Sequence, residues 1–146
     1  MTDKESPSIT GRCYCGQITI AATKTPQAIT YCHCEDCRRT TGSPVAVFAA
    51  FADADLTLTP NEGQKVSVTP GVTRSFCSNC GTPLTGRYDY LPGMVYVGVA
   101  VLDQADELEP QLHAHESQRL PWLHIQDNLE RFPNSARSKL KSANKS

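Results

Sequence analysis

Tyr31-Cys32-His33-Cys34-Glu35-Asp36-Cys37-Arg38-Arg39 is the stretch on which the reading of this chain turns. It places three cysteines within six residues. Cys34 and Cys37 have the Cys-x-x-Cys spacing of a zinc knuckle, where a tight turn aims two sulfurs at one point. Cys32 lies two residues earlier. In an extended segment alternate side chains share a face, so Cys32 and Cys34 point one way and His33 the other. Three sulfurs then converge, and the fourth position of a tetrahedral ion is unassigned. Closed four-ligand sites hold structure, whereas three protein ligands and an open position are the catalytic arrangement.

The rest of the chain reads as a frame for this segment. Its 146 residues suit one domain with a core of its own. A formal net charge of -1 argues against nucleic acid as a main partner. No apolar run approaches the roughly 18 residues of a membrane span, so no membrane is expected as a partner. Met1 to Ser8 is polar and lacks the apolar region of a secretory signal. A cytoplasmic, reducing location is therefore expected. The seven cysteines are odd in number, which with that location favours metal over disulfides. The rival reading, a redox dithiol at Cys77-Ser78-Asn79-Cys80, requires a helix after the motif. Gly81-Thr82-Pro83 follows instead, and proline blocks it.

Along the chain, residues 1–10 read as a loose arm, 11–134 as a single domain, and 135–146, rich in Ser, Lys and Ala, as a disordered tail. Cys13 and Cys15 alternate onto one face, and Gly16 lets the backbone turn beside them. Short strands are expected at 17–21, 28–31 and 45–51, then around Leu56 and Leu58, around Val66 and Val68, and at 72–76, 83–88 and 94–101. The run 45–51 is apolar throughout, as befits a strand buried on both sides. Single helical turns are expected after Cys37, ended by Gly42, and at 103–106 and 127–131. Residues 111–116 read as extended. Many short strands with frequent turns predict a mostly β domain.

Taken together, these motifs resemble the glutathione-dependent formaldehyde-activating enzyme family, which includes the domain of centromere protein V. The resemblance rests on Cys-x-Cys-Gly at 13–16, Cys-His-Cys-x-x-Cys-Arg at 32–38, Gly42-Ser43, and Cys-x-x-Cys-Gly at 77–81. Val95-Tyr96-Val97-Gly98-Val99 with Leu102-Asp103 looks like the family's late strand. Pro110, His113, Ser117 and Pro121-Trp122 look like its C-terminal segment. His115 departs from the pattern, standing where an aromatic side chain is expected.

The resemblance implies an Mss4-like fold of short antiparallel sheets stapled by zinc. It also implies two Zn2+ ions per chain. Cys13, Cys15, Cys77 and Cys80 would hold a structural one, and Cys32, Cys34 and Cys37 a catalytic one. Spacing alone leaves open whether the two knuckles share a single metal. The implied activity is that of a carbon–sulfur lyase, S-(hydroxymethyl)glutathione synthase-like, acting on glutathione or another small thiol. Three thiolates donate much charge, so such an ion suits a sulfur ligand better than water activation.

Arg38 and Ser43 lie beside the triplet and are the candidates to hold a substrate carboxylate, while Arg39 reads as ordinary surface charge. His113, His115 and His124 are candidates to complete the zinc shell or move protons, against the commoner reading of each as a packed or surface histidine. Trp122 is a candidate for a pocket wall or, more commonly for a lone Trp, for the core. The alternative function is a non-enzymatic zinc-stapled protein-binding module, and a fourth protein ligand on the triplet's metal would favour it. The basic tail reads as a solvated terminus rather than a chromatin contact. Nothing in the sequence points to a particular oligomeric state.

Overall fold

The structure, a computed structural model, describes residues 8–140. In chain order its strands are β1 (Ile9–Arg12), β2 (Thr19–Ala22), β3 (Ala28–Cys32), β4 (Ala46–Ala52), β5 (Leu56–Thr59), β6 (Gln64–Val66), β7 (Val72–Phe76), β8 (Pro83–Tyr88), β9 (Met94–Gly98), β10 (Leu112–Ala114) and β11 (Glu130–Arg131). The helix α1 (Glu35–Thr41) lies between β3 and β4. The fold is mostly β and Mss4-like. A three-stranded sheet runs β1-β2-β5, and an eight-stranded sheet runs β11-β10-β3-β4-β9-β8-β7-β6. Pairing is antiparallel except at one edge, where β10 lies parallel to both β3 and β11.

Strand alternation builds two cores from one central pair. On β4, Ala49 and Phe51 face the small sheet, and on β9 Val95 and Val97 do the same. They meet Ile9, Ile20 and Ala22 from β1 and β2. The intervening Ala50, Met94 and Tyr96 face the other way and form a second cluster with Ala28 and Leu91. This is why the run 45–51 carries apolar residues without alternation. Both faces of β4 are covered.

Several expectations are corrected at the periphery. α1 begins at Glu35, three residues earlier than the turn expected after Cys37, because the Cys34 side chain caps it by accepting from Cys37 N. Its end is as expected, with Gly42 in the left-handed conformation. Residues 127–131 do not form a helical turn; Glu130–Arg131 pair with β10 instead. Trp122 is 62% exposed and belongs to neither core nor pocket. Of the expected N-terminal arm, Ile9 and Thr10 lie in β1, and residues 1–7 fall outside the described residues. Of the expected tail, Ala136 is buried against Leu112 and Ala114, and Leu140 packs beside it. Residues 141–146 fall outside the described residues.

The sheet's far end is clamped by a charged network. The Glu62 carboxylate accepts from Thr85 Oγ1 at 2.6 Å and from Arg87 Nε and Nη2 at 3.1 and 3.0 Å. Burial alone would raise the Glu62 carboxyl, yet the bonds from Arg87 and Thr85 hold it below its ordinary value. A depressed carboxylate stabilises the fold above its unfolded pKa, and the contribution is lost as pH falls through the folded pKa. Glu62→Gln is therefore expected to cost about 1–2 kcal/mol at neutral pH. Urea titrations at pH 7 and pH 3.5 check this. The wild-type advantage should be full at the first and smaller at the second.

Candidate metal centres

Two loops bring four thiols together. Cys13 and Cys15 follow β1, and Cys77 and Cys80 lie between β7 and β8, so the cluster joins the small sheet to the large one. The four sulfurs all lie within 4.8 Å of one another. Cys13 to Cys15 is 3.6 Å, and Cys15 to Cys77 is 3.9 Å. Thiolates at about 2.3 Å from a tetrahedral zinc are about 3.8 Å apart, so the donor set fits that ion. Each loop closes on a backbone bond from its glycine, over three residues in the first and four in the second. Gly16 N donates to Cys13 O at 3.0 Å, and Gly81 N donates to Cys77 O at 2.7 Å. Both glycines sit at φ 82, which a side chain would strain. The Thr82 hydroxyl lies 3.1 Å from the Cys80 sulfur and draws that thiol down to about 5. Thr82 also accepts from Tyr14 N at 3.0 Å, tying the two loops together directly.

The second cluster lies at the junction of β3 and α1. The Cys32 thiol donates to Cys34 Sγ at 3.5 Å, and Cys37 N donates to the same sulfur at 3.3 Å. The Cys37 thiol is near enough to both other sulfurs to shift with them, but it is not among the donor atoms that converge within 4.8 Å. Interactions with Cys32 and then Cys37 draw the Cys34 thiol well below its ordinary value. The same sharing pushes Cys32 up to about 12 and Cys37 up as well. The cluster has a further member. A ring nitrogen of His115 lies with the Cys32 and Cys34 sulfurs, all within 4.8 Å.

Behind the triplet is a cluster that sequence reasoning missed. His33 and His113 are fully buried, and their rings stack with Tyr31 across the β3–β10 pair. His113 Nε2–H donates to Asp127 Oδ2 at 2.8 Å, which leaves Nδ1 to accept from His33 Nε2–H, also at 2.8 Å. His33 Nδ1 is then an acceptor, and it has no partner. Glu116 stands 3.5 Å from His33 Nε2 and accepts from Arg119 and Arg131. Burial would raise its carboxyl, but Arg119 and Arg131 hold it low. Two guanidiniums on one carboxylate oppose a cation, so this group is a hydrogen-bonded clasp. The spacing of His33 and His113 gives no hint of it, because only the parallel register brings Tyr31 opposite His113.

A cavity of 570 Å³ opens over the triplet. Cys32, Cys34 and Cys37 line one side, with His115, Arg74 and Arg137 among the remaining walls. Burial alone would lower Arg74, yet Tyr88 and the Cys37 and Cys34 thiols raise it, so it faces the triplet fully charged. The Arg137 guanidinium stacks 3.8 Å over the Tyr90 ring. Arg38 and Ser43 do not line this cavity. Arg38 Nε donates to His33 O at 3.3 Å, and Ser43 Oγ donates to Val45 O at 2.8 Å, so both side chains brace the backbone. Arg39 pairs with Glu35 at the surface, and His124 belongs to neither cluster.

A mostly β frame carrying groups of thiols able to hold metal ions defines a small metal-binding domain. The particular family follows from the sequence match: the chain belongs to the glutathione-dependent formaldehyde-activating enzyme family, whose model covers residues 8–118. In fold it is similar to the crystal structure of a Rhodobacter sphaeroides protein, with TM-score 0.56 and 24% identity, over 69% of this chain and 96% of that one. No curated protein matches the chain.

The clasp makes a stability prediction. His113→Phe keeps the stack on Tyr31 but removes the 2.8 Å acceptor of buried His33 Nε2–H and the donor to Asp127 Oδ2, while Asp127 Oδ1 keeps Arg131 and Leu129 N. The expected loss is about 2–3 kcal/mol in urea unfolding, whereas His124→Phe should change stability by less than about 0.5 kcal/mol.

Proposed function

We propose that this chain is a zinc-dependent carbon–sulfur lyase of the formaldehyde-activating type, making or breaking S-hydroxymethylglutathione or a similar small thiol adduct. The observation that carries the reading is the cavity over Cys32, Cys34 and Cys37, with two arginines on its walls. Its 570 Å³ falls in the range of small-molecule sites. In this reading Cys13, Cys15, Cys77 and Cys80 hold a structural zinc, and the triplet holds the catalytic one. The domain spans residues 11–134 with its flanks, and it works in a reducing compartment such as the cytoplasm. All seven cysteines are free, in keeping with that. Among the described residues no helix is long and apolar enough to cross a membrane.

Zinc on the triplet would hold the substrate sulfur as thiolate. In the forward direction the S–H bond breaks and an S–C bond forms to formaldehyde. The carbonyl becomes a hydroxyl that takes up the proton. The protein's own contribution is to position and to screen. Arg74 and Arg137 offer bidentate partners to the carboxylates of a glutathione-like substrate. Arg74 also places positive charge beside the sulfurs and beside an alkoxide developing on the adduct. Tyr88, whose hydroxyl burial holds protonated, lies 3.4 Å from Arg74 Nη1 and keeps that side chain aimed at the cavity.

A second reading, a non-enzymatic zinc-stapled binding module, is favoured by one observation: the imidazole of His115 beside the triplet.

Metal analysis should find two zinc ions per chain. Cys34→Ala should keep one and lose all lyase activity on S-hydroxymethylglutathione. Loss of both ions from that variant would refute two separable sites. Arg74→Gln should raise KM for the glutathione adduct by roughly 10-fold or more, while Arg38→Gln should stay within about 2-fold in steady-state assays.

A further inference from the structure

Alternation sorts the β3–β10 pair into two faces. Tyr31, His33 and His113 stack on one, and Cys32 and Cys34 lie on the other with Ala114, the register partner of Cys32. One residue past Ala114, alternation would return His115 to the histidine face. Its ring is found with the cysteines instead. The backbone explains the reversal. His115 adopts φ 55, ψ 42, and among the described residues no other non-glycine residue has positive φ. That conformation is unfavourable for a residue with a Cβ, and strain of this kind collects where a side chain must be aimed.

The surrounding bonds hold the reversal in place. His115 N donates to Asn134 O at 2.8 Å, and Gln118 N donates to His115 O at 3.0 Å. The Gln118 side chain accepts from Glu35 N at 2.9 Å. The turn that carries His115 is thus fastened to the first turn of α1, which carries Cys37. His115 also lines the cavity, beside Cys32, Cys34 and Cys37.

We propose that His115 is the fourth ligand of the ion held by Cys32, Cys34 and Cys37, so that the resting site is a closed Cys3His set and a substrate thiol enters by displacing the imidazole. This rests on the reading of the triplet as a metal site. Three thiolates and one imidazole form a complete tetrahedral set for zinc.

The test uses the full chain loaded with cobalt(II), in the wild type and in His115→Asn. Asparagine tolerates the left-handed conformation, so the backbone is preserved while the ring nitrogen is removed. The expected results are a shifted ligand-field spectrum and release of one ion to EDTA at a concentration lower by about tenfold or more, with the other ion unaffected. The minimal thiol 2-mercaptoethanol should saturate the variant at a concentration lower by about tenfold, since it no longer competes with the ring. Identical spectra, EDTA resistance and thiol saturation in the two proteins would overturn the role of His115 alone. A wild type that binds one ion, kept unchanged by Cys34→Ala, would overturn the triplet as a metal site and this proposal with it.

Discussion

The parallel pairing of β10 on β3 is the constraint on which the chemistry of this protein depends. Cys32 stands opposite Ala114 and Tyr31 opposite His113, so a single register decides what meets what. A slip of one residue would exchange every side chain between faces. The clasp is what resists such a slip. His33, His113 and Asp127 form one hydrogen-bonded line, and breaking the register would leave two buried imidazoles without partners. The histidine face therefore specifies the register, and the cysteine face uses it.

The four-thiol cluster solves a different problem. The small sheet has three strands, and its contribution to the core is chiefly Ile9, Ile20 and Ala22. That is a limited apolar area with which to hold two sheets in one orientation. Cys13 and Cys77, both buried, lie at the margin where the sheets meet. Four sulfurs within 4.8 Å would repel one another as thiolates, and a divalent ion bound there would turn that repulsion into attachment. Such a cross-link would join residues more than sixty positions apart, where a constraint on the unfolded chain matters most.

Much of this was legible in the sequence because it is local. The Cys-x-Cys-Gly and Cys-x-x-Cys-Gly turns declare themselves by spacing, and the unbroken apolar run 45–51 declares a strand covered on both faces. What was not legible is whatever depends on a non-local register. Arg38, adjacent to the triplet in sequence, bonds to the backbone at His33, while Arg74 reaches the cavity from β7. Proximity along the chain was a poor guide, since a helix begins at Glu35 and turns its residues through 3.6 per turn. Glu130 and Arg131 read as a helical turn and became a strand because β10 offers them an edge, a tertiary effect that overrides local propensity. His115 was visible as a departure from the family pattern, but only its left-handed backbone gives that departure a direction.

The two functional readings differ by one coordination position. A metal held by three thiolates and facing a 570 Å³ cavity is a site for a sulfur ligand, and the same metal with a permanent fourth ligand is a staple. His115 places this chain between them. Its ring is within reach of the sulfurs, carried on a left-handed turn that backbone bonds to Asn134 and Gln118 hold in place. The same ring lines the cavity, so an incoming thiol meets it there. The fully charged Arg74 across the cavity acts in the same direction, by attracting an anionic thiol towards the position that the imidazole holds. The competition between imidazole and thiolate for one corner of one tetrahedron thus decides whether the domain is a catalyst or a scaffold.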